Sequence, residues 1–172
     1  SGMASFGPEQ FLVTHDLKDG QSGPRLALIS TKGKLHYQPL PVDQSSEAVW
    51  GPVPPNDVES ICPLAGHSGQ FLLCESGYYK GKYGRIFHIE VSAAGQVKRL
   101  GEMHLPTGLS QDIEGIATLE LPHSAGWLVF LGGRGGKEGE PGRLYWGQWD
   151  KGASDISWSK EGLHGQVLQL PR

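Results

Sequence analysis

Cysteine is scarce in this sequence, two in 172 residues, and that scarcity excludes a disulfide scaffold and any site built on paired Cys-x-x-Cys motifs. Cys62 and Cys74 flank a short hairpin turn. A bridge between adjacent antiparallel strands needs a particular Cα separation and Cβ direction, so the spacing favours two buried free thiols in a reducing compartment. Long apolar runs are missing as well. None approaches the ~18 residues of a membrane helix, and the N-terminus has no charged segment followed by a hydrophobic one. Ser1-Gly2 ahead of Met3 reads as a cloning remnant. From a natural start at Met3 the expectation is a cytoplasmic protein without a signal peptide, or a periplasmic or secreted one if a leader was trimmed. Basic surplus is absent too: 15 Lys and Arg stand against 18 Asp and Glu, a net charge of −3. That balance gives nucleic-acid binding little electrostatic support.

Three further absences narrow the chemistry. Helical periodicity is hard to find anywhere. No Gly-x-Ser-x-Gly elbow and no His-Glu-x-x-His occurs, so hydrolysis would need a metal ion or histidines at a rim. Gly132-Gly133-Arg134-Gly135-Gly136-Lys137 looks like a phosphate loop but lacks the Gly-Lys-Ser/Thr ending and a following helix. Its glycines suit positive φ in a wide hairpin instead. What the chain has in quantity is glycine and proline, 26 and 12 residues, a level that fits turn-dense all-β structure.

The order of short apolar runs repeats. Phe71-Leu72-Leu73 leads through a glycine-rich loop to Gly84-Arg85-Ile86-Phe87, and Leu128-Val129-Phe130 leads through another to Gly142-Arg143-Leu144-Tyr145. Upstream, Phe11-Leu12-Val13 leads to Pro24-Arg25-Leu26-Ala27. The arginines at 25, 85 and 143 are spaced by 60 and 58 residues, and Asp57-Val58-Glu59 and Asp112-Ile113-Glu114 by 55. A period near 57 residues, made only of strands and turns, predicts blades of a β-propeller, each a four-stranded antiparallel sheet. Residues 3–172 then form a single domain. The segment from Pro41 to Asn56 is the connector between the first two repeats, with Trp50 packed over their seam.

The first repeat is expected to lack its innermost strand. In the second repeat that strand begins about 14 residues before Phe71, and the chain does not extend as far ahead of Phe11. The C-terminal strand near Gln166–Leu170 could supply it. Three blades do not close a ring, since rings take about 4–8, so the expected assembly is a homodimer making six blades, or else a fragment of a longer propeller.

Asp57-Val58-Glu59-Ser60-Ile61 and Asp112-Ile113-Glu114-Gly115-Ile116, each followed by its Gly-Arg strand, resemble the Asp-x-Glu-Gly/Ala-Ile signature of phytase-like (esterase-like phytase) β-propellers. The broader group of calcium-dependent lactonase and strictosidine-synthase-like six-bladed propellers is similar. The resemblance covers residues 57 to 150. It implies Ca²⁺ held by Glu59 and Glu114, with Asp57 and Asp112 beside them, and a metal-dependent hydrolysis of a phosphoester or lactone. Positions two apart on a strand share a face, so each Asp and its Glu project together, and Ca²⁺ takes about 6–8 hard oxygens. The competing reading makes the same acids blade-locking partners of Arg25, Arg85 and Arg143, which bind carboxylates bidentately. Under it the protein is a non-catalytic interaction scaffold.

His15-Asp16, Glu75-Ser76 and Gly132-Gly133 follow the same strand in each repeat, so they fall at one rim position per blade. His15, Asp16, Glu75 and Arg134 are therefore the candidate polar groups for a small anionic or ester ligand, with His15 the general base. Tyr78 to Tyr83 offers aromatic and basic groups suited to a sugar or an anion, or forms a plain loop tip.

Overall fold

The structure, a computed structural model, describes residues 1–18, 21–78, 82–109, 111–122, 126–135, 141–160 and 166–167. Within them the chain is all-β, arranged as three four-stranded antiparallel meanders. The first sheet comprises β1 (Met3–Gly7), β2 (Gln10–Thr14), β3 (Leu26–Ser30) and β4 (His36–Pro39) in that order. A single helical turn, α1 (Glu47–Trp50), interrupts the connector. The second sheet runs β5 (Val58–Pro63), β6 (Gln70–Glu75), β7 (Arg85–Val91), β8 (Val97–His104). The third runs β9 (Ile113–Glu120), β10 (Gly126–Gly133), β11 (Arg143–Asp150), β12 (Ser157–Trp158), and β13 (Gln166–Val167) also pairs with β11.

Two expectations about the chain ends are corrected. The first sheet has the first strand that it was expected to lack, because Met3–Gly7 folds back on β2 with Ala4 opposite Leu12. Of the expected C-terminal strand near Gln166–Leu170, Gln166 and Val167 pair in the third sheet, opposite Leu144 and Arg143, and the rest lies outside the described residues. The reason is the length of a turn. Pro8 and Glu9 alone join β1 to β2, with Glu9 in the left-handed region at φ 57, whereas six residues separate β5 from β6.

The sheets pack face on face in chain order. Between the first and second lie Leu12, Leu26 and Leu40 against Phe71, Leu73, Phe87 and Ile89. Between the second and third lie Leu72, Cys74, Ile86 and Met103 against Trp127, Val129, Leu131, Tyr145 and Trp149. The second sheet is thus buried on both faces, as its run Phe71-Leu72-Leu73-Cys74 requires. Cys62 and Cys74 are free and buried in it. Trp50 seals the first seam, edge-on to Phe87 at 5.1 Å and donating its indole N–H to the Asp43 carbonyl at 2.7 Å.

The first strands β1, β5 and β9 lie side by side. Two backbone bonds join successive sheets at the end where β5 and β9 begin: Asp57 N–H to the Leu17 carbonyl at 3.2 Å, and Ile113 N–H to the Ser76 carbonyl at 2.6 Å. The repeat arginines brace the connector. Arg25 donates to the carbonyls of Leu17 and Pro55, and Arg85 to those of Val53 and Pro54. Arg85 also forms a buried ion pair with Glu75 at 2.6 Å. The partners that the blade-locking reading assigned to Arg25 and Arg85 are therefore carbonyls and Glu75, not the Asp-x-Glu acids.

Candidate functional site

The Asp-x-Glu pairs stand where β5 and β9 begin, at the same end as the chain leaving β2, β6 and β10. Both pairs share a local irregularity. Val58 lies opposite Glu75 and Ser60 opposite Cys74, so Glu59 is the extra residue of a β-bulge. In β9, Ile113 faces Gly133 and Gly115 faces Gly132, which makes Glu114 the extra residue at the same place. A bulge re-aims the side chain it carries, and here it does so twice with the same residue type. Asp57 adds a left-handed backbone, φ 54, uncommon outside glycine but tolerated by Asp.

Ligand oxygens of Asp16, Asp57 and Glu59 all lie within 4.8 Å of one another. Three carboxylates so close need positive charge between them. In this chain the α-ammonium of Ser1, within the segment that reads as a cloning remnant, stands among them, 2.7 Å from Glu59 Oε2 and 3.7 Å from Asp16, while Ser1 Oγ donates to Asp16 Oδ1 at 3.0 Å. The Ser1 hydrogen bond pulls the Asp16 carboxyl below its ordinary range. Burial, with Asp57 and Asp16 as neighbours, holds the Glu59 carboxyl above its own despite the ammonium. Lys18 reaches Asp57 Oδ2 at 3.4 Å, and Asp57 raises its ammonium. Ser76 Oγ donates to the same oxygen at 3.1 Å. The other oxygen, Asp57 Oδ1, is buried with no hydrogen-bond partner among the described residues.

The second pair is handled differently. Arg134 bridges Asp112 and Glu114, with both contacts at 3.3 Å and all three side chains well exposed. Between the two pairs opens a cavity of about 360 Å³ lined by Lys18, Asn56, Asp57, Ser76, Tyr78 and Asp112. Its wall residue Tyr78 donates its hydroxyl to the Leu105 carbonyl at 2.6 Å. A larger cavity of about 600 Å³ lies between the second and third sheets toward the other end, lined by His67, His88, Gln70, Trp127 and Trp149. It contains none of the expected site residues, and the smaller one is where the carboxylates converge.

Of the residues singled out from sequence, Asp16, Asp57 and Glu59 come together, and Asp112, Glu114 and Arg134 form an adjoining group. His15 pairs instead with the Tyr37 hydroxyl at 3.0 Å, on the open side of the first sheet. Glu75 lies beneath the surface instead of on a rim, fully buried and accepting five N–H donors. Sequence reasoning passed over Lys18 and Ser76 as partners of Asp57. Ser76 was within reach, since it follows β6 at the offset at which Arg134 follows β10. In composition the cluster suits a hard cation: its donors are all oxygens, and a 4.8 Å spread is about what two ligands ~2.4 Å from one ion span. No family model matches this chain, and no curated protein is significantly similar to it.

Proposed function

We propose that the chain forms blades of a β-propeller whose mouth binds a divalent cation, Ca²⁺ by its donor set, together with a small anionic ligand. The observation that carries this reading is the convergence of the Asp16, Asp57 and Glu59 carboxylates within 4.8 Å, with one buried Asp57 oxygen left without a partner among the described residues. Asp16, Asp57 and Glu59 are the residues to hold the ion. Asp112 and Glu114 extend the acidic rim, and Lys18 and Tyr78 line the adjoining cavity where a ligand would sit. The resemblance to phytase-like propellers gives the reaction class, phosphoester or lactone hydrolysis, to which a bound ion would contribute as a Lewis acid. The protein's own groups contribute orientation: Ser76 and Lys18 fix Asp57, and the bulge at Glu59 fixes the direction of its carboxylate.

The scaffold reading is favoured by a different observation. Asp57 already faces Lys18, and Asp112 and Glu114 face Arg134. Calorimetric titration with Ca²⁺, and melting in millimolar Ca²⁺ or in EGTA, separates the two. Binding with a raised melting temperature, both lost in Glu59→Gln, supports the ion site. No heat, and a melting temperature indifferent to Ca²⁺ and EGTA, leaves the scaffold.

A further inference from the structure

We infer that the cavity of about 600 Å³ between the second and third sheets is a second binding site, and that it takes a flat, uncharged aromatic molecule with a hydrogen-bond donor at its edge. It lies toward the opposite end of the strands from the carboxylate cluster and shares no residue with it. Its volume falls within the ~300–1,000 Å³ of small-molecule pockets, which are mostly apolar with a few placed polar groups.

The two sheets bring different chemistry to it. The third contributes Trp127 and Trp149, their rings 4.9 Å apart, and both indole N–H groups already donate to backbone carbonyls, Trp127 to Ala65 at 2.9 Å and Trp149 to Ala153 at 3.1 Å. What these two residues offer a ligand is carbon. The second sheet contributes a polar edge: His88 Nε2 bonds Gln70 Oε1 at 2.9 Å. With that oxygen accepting, the ring carries its proton on Nε2, and Nδ1 keeps a lone pair that has no partner among the described residues. Burial, with His67 nearby, lowers this imidazole to about 4, so at physiological pH it is a neutral acceptor. Of the charged groups on the lining, Glu102 is held by Arg99 at 3.0 Å and Lys151 stands on an exposed turn. A neutral ligand suits that balance and an ion does not.

The opening is a departure from the packing of the first seam. Opposite Leu12 in the first sheet stands Leu28, and opposite Leu72 in the second stands His88, the same place in the repeat. Leu28 packs on the apolar core of its seam and has Gln38 as its next neighbour, whereas His88 has Gly101. An imidazole thus replaces an aliphatic group, and the glycine beside it brings no side chain to the face they share. A polar ring in an apolar seam costs free energy unless its hydrogen bonds are made, and here one nitrogen has none. A ligand that covers the tryptophans and donates to Nδ1 completes the seam.

The test is a titration of the whole chain with indole and with N-methylindole, which lacks the N–H, followed by nitrogen–proton NMR at the side-chain N–H signals of Trp127 and Trp149. Indole is expected to bind with a Kd of about 1 mM, as suits a ligand of so few atoms. Both signals should move saturably while those of Trp50 and Trp146 stay in place. N-methylindole should bind roughly three- to tenfold more weakly, the worth of one hydrogen bond. Gly101→Leu fills the cavity; a Cβ there meets only the His88 Cβ within 4 Å, at 3.9 Å, so this variant should melt no lower than wild type and show no indole binding. His88→Leu keeps an apolar wall and removes the acceptor, so it should bind the two probes alike. The inference is overturned by the lack of a saturable shift up to about 10 mM indole, by indole binding that persists in Gly101→Leu, or by a His88→Leu protein that still prefers indole. Glu59→Gln should bind indole as the wild type does, so this site and the cation site stand or fall separately.

Discussion

Replacing Glu75 by glutamine tests whether this carboxylate is structural, and the outcome can be worked from its contacts. Its Oε1 accepts from Asn56 N–H at 2.9 Å and Arg85 Nη2 at 2.6 Å. Its Oε2 accepts from Gly84 N–H at 3.0 Å, Arg85 N–H at 2.9 Å and Arg85 Nε at 3.0 Å. An amide offers one accepting oxygen, and its NH₂ must then face at least two other N–H donors. It also leaves Arg85, about 5% exposed, without its counter-charge. Summing five charge-assisted bonds at ~1.5–3 kcal/mol each would overshoot, because the intact pair already bears the cost of desolvation. The measured loss for breaking a buried pair is about 3–5 kcal/mol, which for a chain of this size lowers the melting temperature by roughly 6–20 °C. Urea unfolding followed by tryptophan fluorescence, with calorimetry beside it, reads both. Removing both partners, as Glu75→Leu with Arg85→Met, leaves no unpaired charge but strands the N–H groups of Asn56, Gly84 and Arg85 and the carbonyls of Val53 and Pro54, so it should not restore stability relative to Glu75→Gln. A Glu75→Gln protein within about 1 kcal/mol of wild type would refute the reasoning.

Three further outcomes follow from local environments. Burial against Trp149, with His67 nearby, lowers the His88 imidazole from its ordinary 6.5 to about 4. Above pH 6.5 both states are neutral; as pH falls, the unfolded chain takes up a proton that the folded one refuses, so stability drops between 6.5 and about 4. Allowing for partial solvent screening the loss is about 1–2 kcal/mol, and His88→Gln should flatten it in urea midpoints measured across that range. Burial pushes the Cys62 thiol up to about 12 and Cys74 well above its ordinary value; neither should react with a thiol reagent until the protein unfolds, and rapid labelling of native protein would contradict the packing. Gly84 sits at φ 96, with a Cβ there 2.8 Å from the Tyr78 ring; Gly84→Ala should cost roughly 1–3 kcal/mol, seen as a lower melting temperature together with displacement of Tyr78 from Leu105.

How much of this was legible in the chain depended on whether the signal was a side-chain pattern or a turn. The apolar runs and the Gly-Arg markers located β2, β3, β6, β7, β10 and β11, and in β6 and β7 the runs are continuous because both faces of the second sheet are buried. The connector and the place of Trp50 were legible for a related reason: prolines break the pattern there, and one large aromatic remains to cover the seam. β1 was not. Its turn is Pro8-Glu9, with a left-handed glutamate in place of the Asn-Gly or Asp-Gly pairs that announce a tight hairpin, and measuring from the longer turn of the second repeat put the missing strand beyond the chain.

The site was half legible, and the missing half is backbone geometry. Asp-x-Glu read as an alternating strand puts both carboxylates on one face, and Asp57 and Glu59 do converge, but the route is a bulge at Glu59 and a left-handed Asp57. Neither departure has a signature in residue type. The same bulge recurs at Glu114 without the same result, because Arg134 occupies the carboxylates there while the corresponding place in the second sheet holds the uncharged Ser76. Equivalent strands therefore end in different groups, and the difference lies in what the neighbouring strands bring: Asp16, Lys18 and Ser76 to the first pair, Arg134 to the second. Arg134→Ser makes that difference testable: freeing Asp112 and Glu114 should add acidic capacity at the rim, read as additional or tighter Ca²⁺ binding by calorimetry. An unchanged isotherm in a protein whose parent binds Ca²⁺ would show that the bulged glutamate, and not the identity of its partner, decides where a cation is held.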